Sequence, residues 1–98
     1  MQFVIIAKDY TDADALDRRM AARAAHLALS DEAAKRGEQL MGVAMLDADG
    51  KMVGSTMVVE FPSRAEVDAW LAVEPYVTGK VWEHIEVTVC KVGPSFAQ

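Results

Sequence analysis

Short apolar runs alternate with helical segments along the chain, and this pattern predicts an α+β fold. The run from Phe3 to Ala7 is continuously apolar and rich in β-branched residues, which is typical of a strand covered on both faces. Two more strand-like runs, Leu40 to Leu46 and Met52 to Phe61, are joined by a short loop that contains Asp-Gly, a hairpin signal. The last strand is predicted from His84 to Val92, where apolar and polar residues alternate.

A long helix is predicted between the first two strands, from about Asp12 to Lys35. Acidic residues come early in this segment and Lys35 comes late, which suits the helix dipole. Gly37 follows as a C-terminal cap. The apolar residues that we expect to face the core recur at helical spacing and are Leu16, Met20, Leu27 and Ala34.

A second, shorter helix is predicted after the third strand, where Ser63 and Glu66 have the spacing of a capping box. It ends at Glu74, because the residue before a proline avoids the α region, and a loop is expected from Val77 to Trp82. The order β-α-β-β-α-β predicts a ferredoxin-like fold, with a four-stranded antiparallel sheet and two helices on one face. Residues 1–98 are expected to form one domain.

The other face of this sheet also carries apolar residues, so it needs a cover. Large exposed apolar patches are rare on monomers, and we therefore expect a homodimer formed through the sheet face. A net charge of −5 argues against a general nucleic-acid binder, and no apolar run approaches the length of a membrane span. The start of the chain lacks a basic leader, so a cytoplasmic protein is expected. The single cysteine, Cys90, excludes an internal disulfide.

A polar row runs along the long helix beside its apolar stripe. It consists of Arg19, Arg23, His26 and Ser30, at i, i+4, i+7 and i+11. Such a row is well placed to line a cleft between this helix and the sheet. His26 is the candidate general base or acid, because imidazole titrates near neutrality and a carboxylate fixes its tautomer. The candidate carboxylates are Asp9 and Glu74, whereas Arg19 and Ser30 are assigned supporting roles.

Four segments, FVIIAKD, RAAHL, GST and EPYVTGKV, resemble the YciI-like (YCII-related) family. The resemblance runs from Phe3 to about Val92 and implies a dimeric α+β barrel, in which the sheets of two subunits face each other. It places the family's suspected catalytic histidine on His26 and its strand-end aspartate on Asp9. The family's Asp-Pro-Tyr/Phe turn falls on residues 74–76, where Glu74 replaces the aspartate. A few relatives act in lyase or dehydrohalogenase-like steps on small aromatic compounds.

Two functions from different classes follow. The first is a cofactor-independent enzyme in which His26 moves a proton on a small molecule, with Asp9 as a second catalytic residue. The second is a non-catalytic dimeric module that binds a small ligand or regulates a partner. The candidate substrate-binding residues are Arg23, Ser55, Glu74 and Tyr76. Structural alternatives are a salt bridge for Arg23, a backbone hydrogen bond for Ser55 and packing against Trp82 for Tyr76. No cofactor is expected, and no ligand spacing supports a metal site.

Overall fold

A four-stranded antiparallel sheet is the scaffold of the protein in a computed structural model, which describes residues 1–97. The strands are β1 (Gln2–Asp9), β2 (Gln39–Leu46), β3 (Met52–Glu60) and β4 (Trp82–Cys90). Their order across the sheet is β2-β3-β1-β4, and every neighbouring pair is antiparallel. This is the predicted ferredoxin-like topology, and it puts the end of β1 beside the starts of β3 and β4.

Within residues 1–97, three α-helices connect these strands, α1 (Ala15–Lys35), α2 (Arg64–Ala72) and α3 (Pro75–Thr78), and one turn of 3₁₀ helix (Pro94–Phe96) follows β4. The first two are the predicted helices, and both predicted caps are present. The Ser63 hydroxyl accepts a hydrogen bond from the Glu66 N–H at 3.3 Å, and Gly37 has a φ of 74° just past α1. The third helix corrects the expected loop, since proline suits the first position of a helix and Glu74 is the N-cap of α3.

The face of α1 that meets the sheet differs from the predicted one. Met20 and Leu27 were expected in the core, but they are 51% and 42% exposed. The inward row consists instead of Arg19, Ala22, His26, Leu29 and Ala33. Alanines occur all around this helix, so hydropathy barely distinguishes its faces, and the inward polar side chains are tolerated because they find buried partners.

The core lies between the sheet and the helices. Its largest fully buried side chains are Phe3, Ile5, Met57, Val59, Val67, Glu74, Tyr76 and Val81. The β1 and β3 members share one sheet face, because Phe3 pairs with Val59 and Ile5 pairs with Met57. One of these buried residues is a carboxylate, and its partners lie in the cleft described below.

The opposite face of the sheet is uncovered within residues 1–97. Val4 and Ile6 lie there on β1, opposite Val58 and Thr56 of β3, and Val43 of β2 is paired with Thr56. Ile6 is 38% exposed and Val43 is 50% exposed. The outer strand β4 adds polar residues to this face, so its apolar part is centred on β1, β2 and β3. Among the described residues, no helix is both long enough and apolar enough to cross a membrane.

Candidate active site

A cleft of about 420 Å³ opens between α1 and the β2 and β3 strands. Its polar lining includes Arg19, Arg23, His26, Ser30, Ser55 and Tyr76. Leu27, Ala34, Ala44 and Met57 belong to its apolar lining. The predicted polar row of α1 therefore does line a cleft, with apolar surface on the opposite wall.

His26 is held by a carboxylate at the floor of this cleft. Its Nδ1 lies 2.9 Å from Oε1 of Glu74, a residue with no exposed surface, while the His26 side chain is 13% exposed. A carboxylate oxygen accepts, so Nδ1–H donates, and the neutral ring then carries its lone pair on Nε2. Nε2 has no hydrogen-bond partner among residues 1–97 and is not sealed from solvent. It is therefore the nitrogen that is free to exchange a proton with a ligand.

Two aromatic rings fix the plane of the His26 imidazole. The Tyr76 ring stacks on it with centroids 3.8 Å apart and planes 8° from parallel. Trp82 meets His26 edge-on at 6.0 Å and Tyr76 edge-on at 5.5 Å. Tyr76 is thus packed against Trp82, which was the predicted structural role of this residue. It also lines the cleft.

The short helix α3 positions both Glu74 and Tyr76. Glu74 is the N-cap, and its Oε1 accepts the Tyr76 N–H at 2.9 Å as well as the His26 contact. The same oxygen therefore ties the imidazole to the first turn of α3. The glutamate reaches His26 despite the extra methylene relative to the family's aspartate. Its second oxygen, Oε2, is buried without a partner among residues 1–97.

Arg19 forms a second buried network beneath the cleft. Its Nη1 donates to both carboxylate oxygens of Asp9 at 2.9 Å, and its Nη2 donates to Ser55 Oγ at 2.9 Å and to the Gly54 carbonyl at 3.3 Å. The guanidinium also lies over the Tyr76 ring, 4.7 Å from its centroid. Arg19 is 2% exposed and Asp9 is 7% exposed. One side chain of α1 thereby joins the ends of β1 and β3 to α3.

Burial shifts the proton affinity of two groups in this region. It raises the pKa of Asp9, and the hydrogen bonds and charge of Arg19 oppose this rise. Burial likewise raises the pKa of Tyr76, while the positive charges of Arg19 and Arg23 oppose the rise. At neutral pH the Tyr76 hydroxyl is therefore protonated and can donate a hydrogen bond.

Only one of the two candidate carboxylates contacts His26 in the structure. Glu74 contacts the imidazole, whereas Asp9 does not and instead pairs with Arg19. Ser55 bonds Arg19 and the Trp82 indole rather than a backbone group. Arg23 lines the mouth of the cleft and, among residues 1–97, has no ion pair.

Sequence reasoning gave Arg19 only a supporting role, although it is the most connected side chain of the site. A signal existed, because Arg19 lies seven residues before His26 and so on the same helix face. No group of three or more His, Cys, Asp or Glu side chains that could hold a metal occurs among the described residues.

The family model of the YCII-related domain matches residues 1–91. The chain belongs to this family. It is 36% identical over 93 residues to "Protein YciI" of Escherichia coli O6:H1, an alignment that covers 89% of this chain and 93% of that protein. The protein of the same name from Shigella flexneri matches equally.

Solved structures confirm the ferredoxin-like fold of this YCII-related chain. A 5-chloro-2-hydroxyhydroquinone dehydrochlorinase from Burkholderia phenoliruptrix, in complex with 2,5-dihydroxybenzoquinone, superposes with a TM-score of 0.83 at 27% identity, covering 97% of this chain and 98% of that one. A dimeric ferredoxin-like protein from Jannaschia sp. gives a TM-score of 0.53 at 20% identity, covering 93% and 98%. The second likeness shows the fold alone.

Proposed function

We propose that this YCII-related protein is an enzyme that catalyses proton transfer on a small molecule, with elimination of a leaving group. The observation that carries the proposal is the His26–Glu74 pair, because it presents an oriented imidazole nitrogen to a cleft. The cleft volume falls within the range of about 300–1,000 Å³ that is usual for small-molecule sites. The Tyr76 ring stacked on the imidazole and the Trp82 ring that meets it edge-on hold His26 in one orientation, which supports a role beyond packing.

The proposed substrate class is a small hydroxylated ring that carries a halogen. The likeness to the dehydrochlorinase supports this class, since it extends over nearly the whole of both chains at 27% identity. The composition of the cleft also suits such a ring, which needs an apolar wall for its face and polar groups for its oxygens. Arg23 is proposed to contact an ionised oxygen of the substrate, because its guanidinium is unpaired within residues 1–97 and lies at the cleft mouth.

The proposed reaction needs no external oxidant or reductant. The substrate reacts as its keto tautomer, in which the halogen-bearing carbon also carries a hydrogen. Nε2 of His26 accepts the proton of a ring hydroxyl, that oxygen becomes a carbonyl, and the displaced ring electron pair forms a double bond to the halogen-bearing carbon. The carbon–halogen bond breaks and the halide departs with its bonding pair. The substrate thus loses one proton and one halide, and Nε2 later releases its proton to water. Glu74 stabilises the imidazolium formed in this step, while Asp9 acts as a positioning residue through Arg19.

The test is halide release by the wild-type protein from a panel of halogenated hydroquinones and hydroxyhydroquinones. We expect many turnovers per protein molecule, followed by an ion-selective electrode for the halide and by absorbance for the quinone product. Within the panel, compounds that carry an ionised hydroxyl should have the lower KM, because of Arg23. Binding of these compounds without any halide release would contradict the enzyme proposal and leave a binding module.

We also propose that the protein is a homodimer through its uncovered sheet face. The exposed apolar side chains of β1, β2 and β3 support this assembly, because a monomer would leave them in water. A dimer mass is expected by sedimentation equilibrium at micromolar protein. Val43→Lys, which places a charge on the β2 part of this face, should shift the protein to monomer, whereas Val73→Lys at the exposed C-cap of α2 should not. A wild-type monomer at that concentration would exclude this assembly.

A further inference from the structure

The Ser55 hydroxyl is the point where the Arg19 network meets the cleft. Ser55 lies on β3, is 4% exposed and lines the cleft wall. Two groups point hydrogen atoms at its Oγ: Arg19 Nη2 at 2.9 Å and the Trp82 indole Nε1 at 3.2 Å. Both groups can only donate, since neither a guanidinium nor an indole N–H carries an acceptor lone pair.

These two contacts determine which hydrogen bonds the Ser55 hydroxyl can still form. A serine hydroxyl has two acceptor lone pairs and one proton. Arg19 and Trp82 occupy both lone pairs, so Ser55 accepts nothing further and its proton must point away from both of them. No group within residues 1–97 accepts that proton. The hydroxyl proton is therefore directed towards the cleft, which Ser55 lines.

We infer that Ser55 is a dedicated hydrogen-bond donor to a ligand oxygen in the cleft, and that it stabilises negative charge on that oxygen. The inference rests on the proposed function and adds the direction of the hydrogen bond, in which Ser55 donates and the ligand oxygen accepts. Only a ligand with an acceptor, such as a carbonyl or phenolate oxygen, satisfies this site. A ligand group that itself donates would find both lone pairs of Oγ taken.

The network behind Ser55 makes it a stronger donor. A hydroxyl that accepts from a cationic guanidinium and an indole is polarised, and hydrogen bonds in such a chain strengthen one another. Ser55 is also nearly buried, so its electrostatic effect is larger than that of a hydroxyl at the surface. During proton removal by His26, charge grows on the ring oxygens of the substrate. A fixed donor next to such an oxygen stabilises the transition state more than the ground state.

The experiment uses 2,5-dihydroxybenzoquinone as the probe, with the full chain as wild type, Ser55→Ala, Ser55→Thr and Thr56→Val. Thr56→Val is the matched control, because it removes a hydroxyl from the adjacent position, on the opposite sheet face. Affinity is measured by absorbance titration, and circular dichroism melts check that each variant is folded. The carbonyl stretch of the bound probe is recorded by difference infrared spectroscopy at saturating probe, because a hydrogen-bond donor lowers its frequency.

We expect Ser55→Ala to bind the probe about ten- to a hundredfold more weakly, as for loss of a hydrogen bond to a charged group. The low-frequency shift of the carbonyl band should disappear in Ser55→Ala, remain in Thr56→Val and be restored at least in part by Ser55→Thr. An unchanged band in Ser55→Ala overturns the inference, even if that variant binds more weakly, because a purely structural role would weaken binding without moving the band. A wild-type protein that does not bind the probe also overturns the inference. The proposed function is judged separately, by halide release, so the two can fail independently.

Discussion

His26→Gln is expected to lower kcat for halide release by about 10²–10⁴-fold, the usual contribution of a positioned general base. Glutamine approximates the size of the ring and can still reach Glu74, but its amide nitrogen has no basic lone pair near neutral pH. KM should change little, since the apolar wall and Arg23 of the cleft remain. Steady-state kinetics over a pH series measures both constants.

Glu74→Gln tests the His26–Glu74 pair by changing the carboxylate instead of the imidazole. The Oε1 of Glu74 accepts from both His26 Nδ1 and the Tyr76 N–H, so a glutamine that places its carbonyl oxygen there keeps both hydrogen bonds. It removes the negative charge that stabilises the imidazolium formed when His26 takes up a proton. We therefore expect kcat to fall, and the double variant with His26→Gln should be no slower than His26→Gln alone, because both changes affect the same step.

His84→Gln is the matched control for these variants. Its side chain is 75% exposed on β4, and its only polar contact within residues 1–97 is with the neighbouring Glu83 at 3.4 Å. Turnover by this variant should equal that of the wild type. Full activity in His26→Gln would remove the base role from the proposal, whatever the substrate is.

The fold was predictable because its signals are local. β-Branched runs, the Asp-Gly hairpin, the Ser63 cap and Gly37 each specify a strand, a turn or a helix end within a few residues. Their order then leaves the ferredoxin-like topology as the expected arrangement, which the structure and its relatives confirm. The family's sequence signature contributed the same answer independently.

The site was predictable only in part, because its contacts join residues far apart in the chain. The polar row of α1 identified His26, and the turn at Glu74 identified its carboxylate, but 48 positions separate the two. Nothing local distinguishes Glu74 from Asp9 as the partner. Glu74 reaches His26 because it caps α3, a helix of four residues. That helix begins at Pro75, which the sequence pattern predicted to end a helix instead.

Arg19 shows why the inward face of α1 was misassigned. Burying an arginine is unfavourable unless its charge and donors are satisfied, so a sequence alone favours placing it at the edge. Asp9, Gly54 and Ser55 supply the partners, and they come from two strands that the sheet brings together. Small alanines on α1 let the helix approach these strands. The interior position of Arg19 is therefore a property of the tertiary structure.

Arg19→Met is expected to destabilise the protein by about 3–5 kcal/mol, as for removal of one partner from a buried ion pair. Methionine fills much of the same volume, but it leaves the Asp9 carboxylate buried and unpaired. Urea unfolding at neutral pH measures the change in the free energy of unfolding. The double variant Asp9→Leu/Arg19→Met should recover most of the loss, since replacing both charges with apolar side chains removes the unpaired group. Arg18→Met is the control, because its ion pair with Asp12 is solvent-exposed and should matter little.

The loss in Arg19→Met should itself depend on pH, with a sign set by Asp9. Burial raises the pKa of Asp9 in the folded protein, and removing Arg19 takes away the hydrogen bonds and charge that oppose the rise. The folded variant then binds more protons at Asp9 than the unfolded chain does, so its stability falls as pH rises through the raised pKa. Its deficit relative to wild type should therefore be smaller at pH 4 than at pH 7, and the Asp9→Leu/Arg19→Met variant should lack this dependence. A deficit that is constant across this range would mean that the Asp9 carboxylate is solvated once Arg19 is gone, and that Arg19 does not hold a buried charge at the base of the cleft.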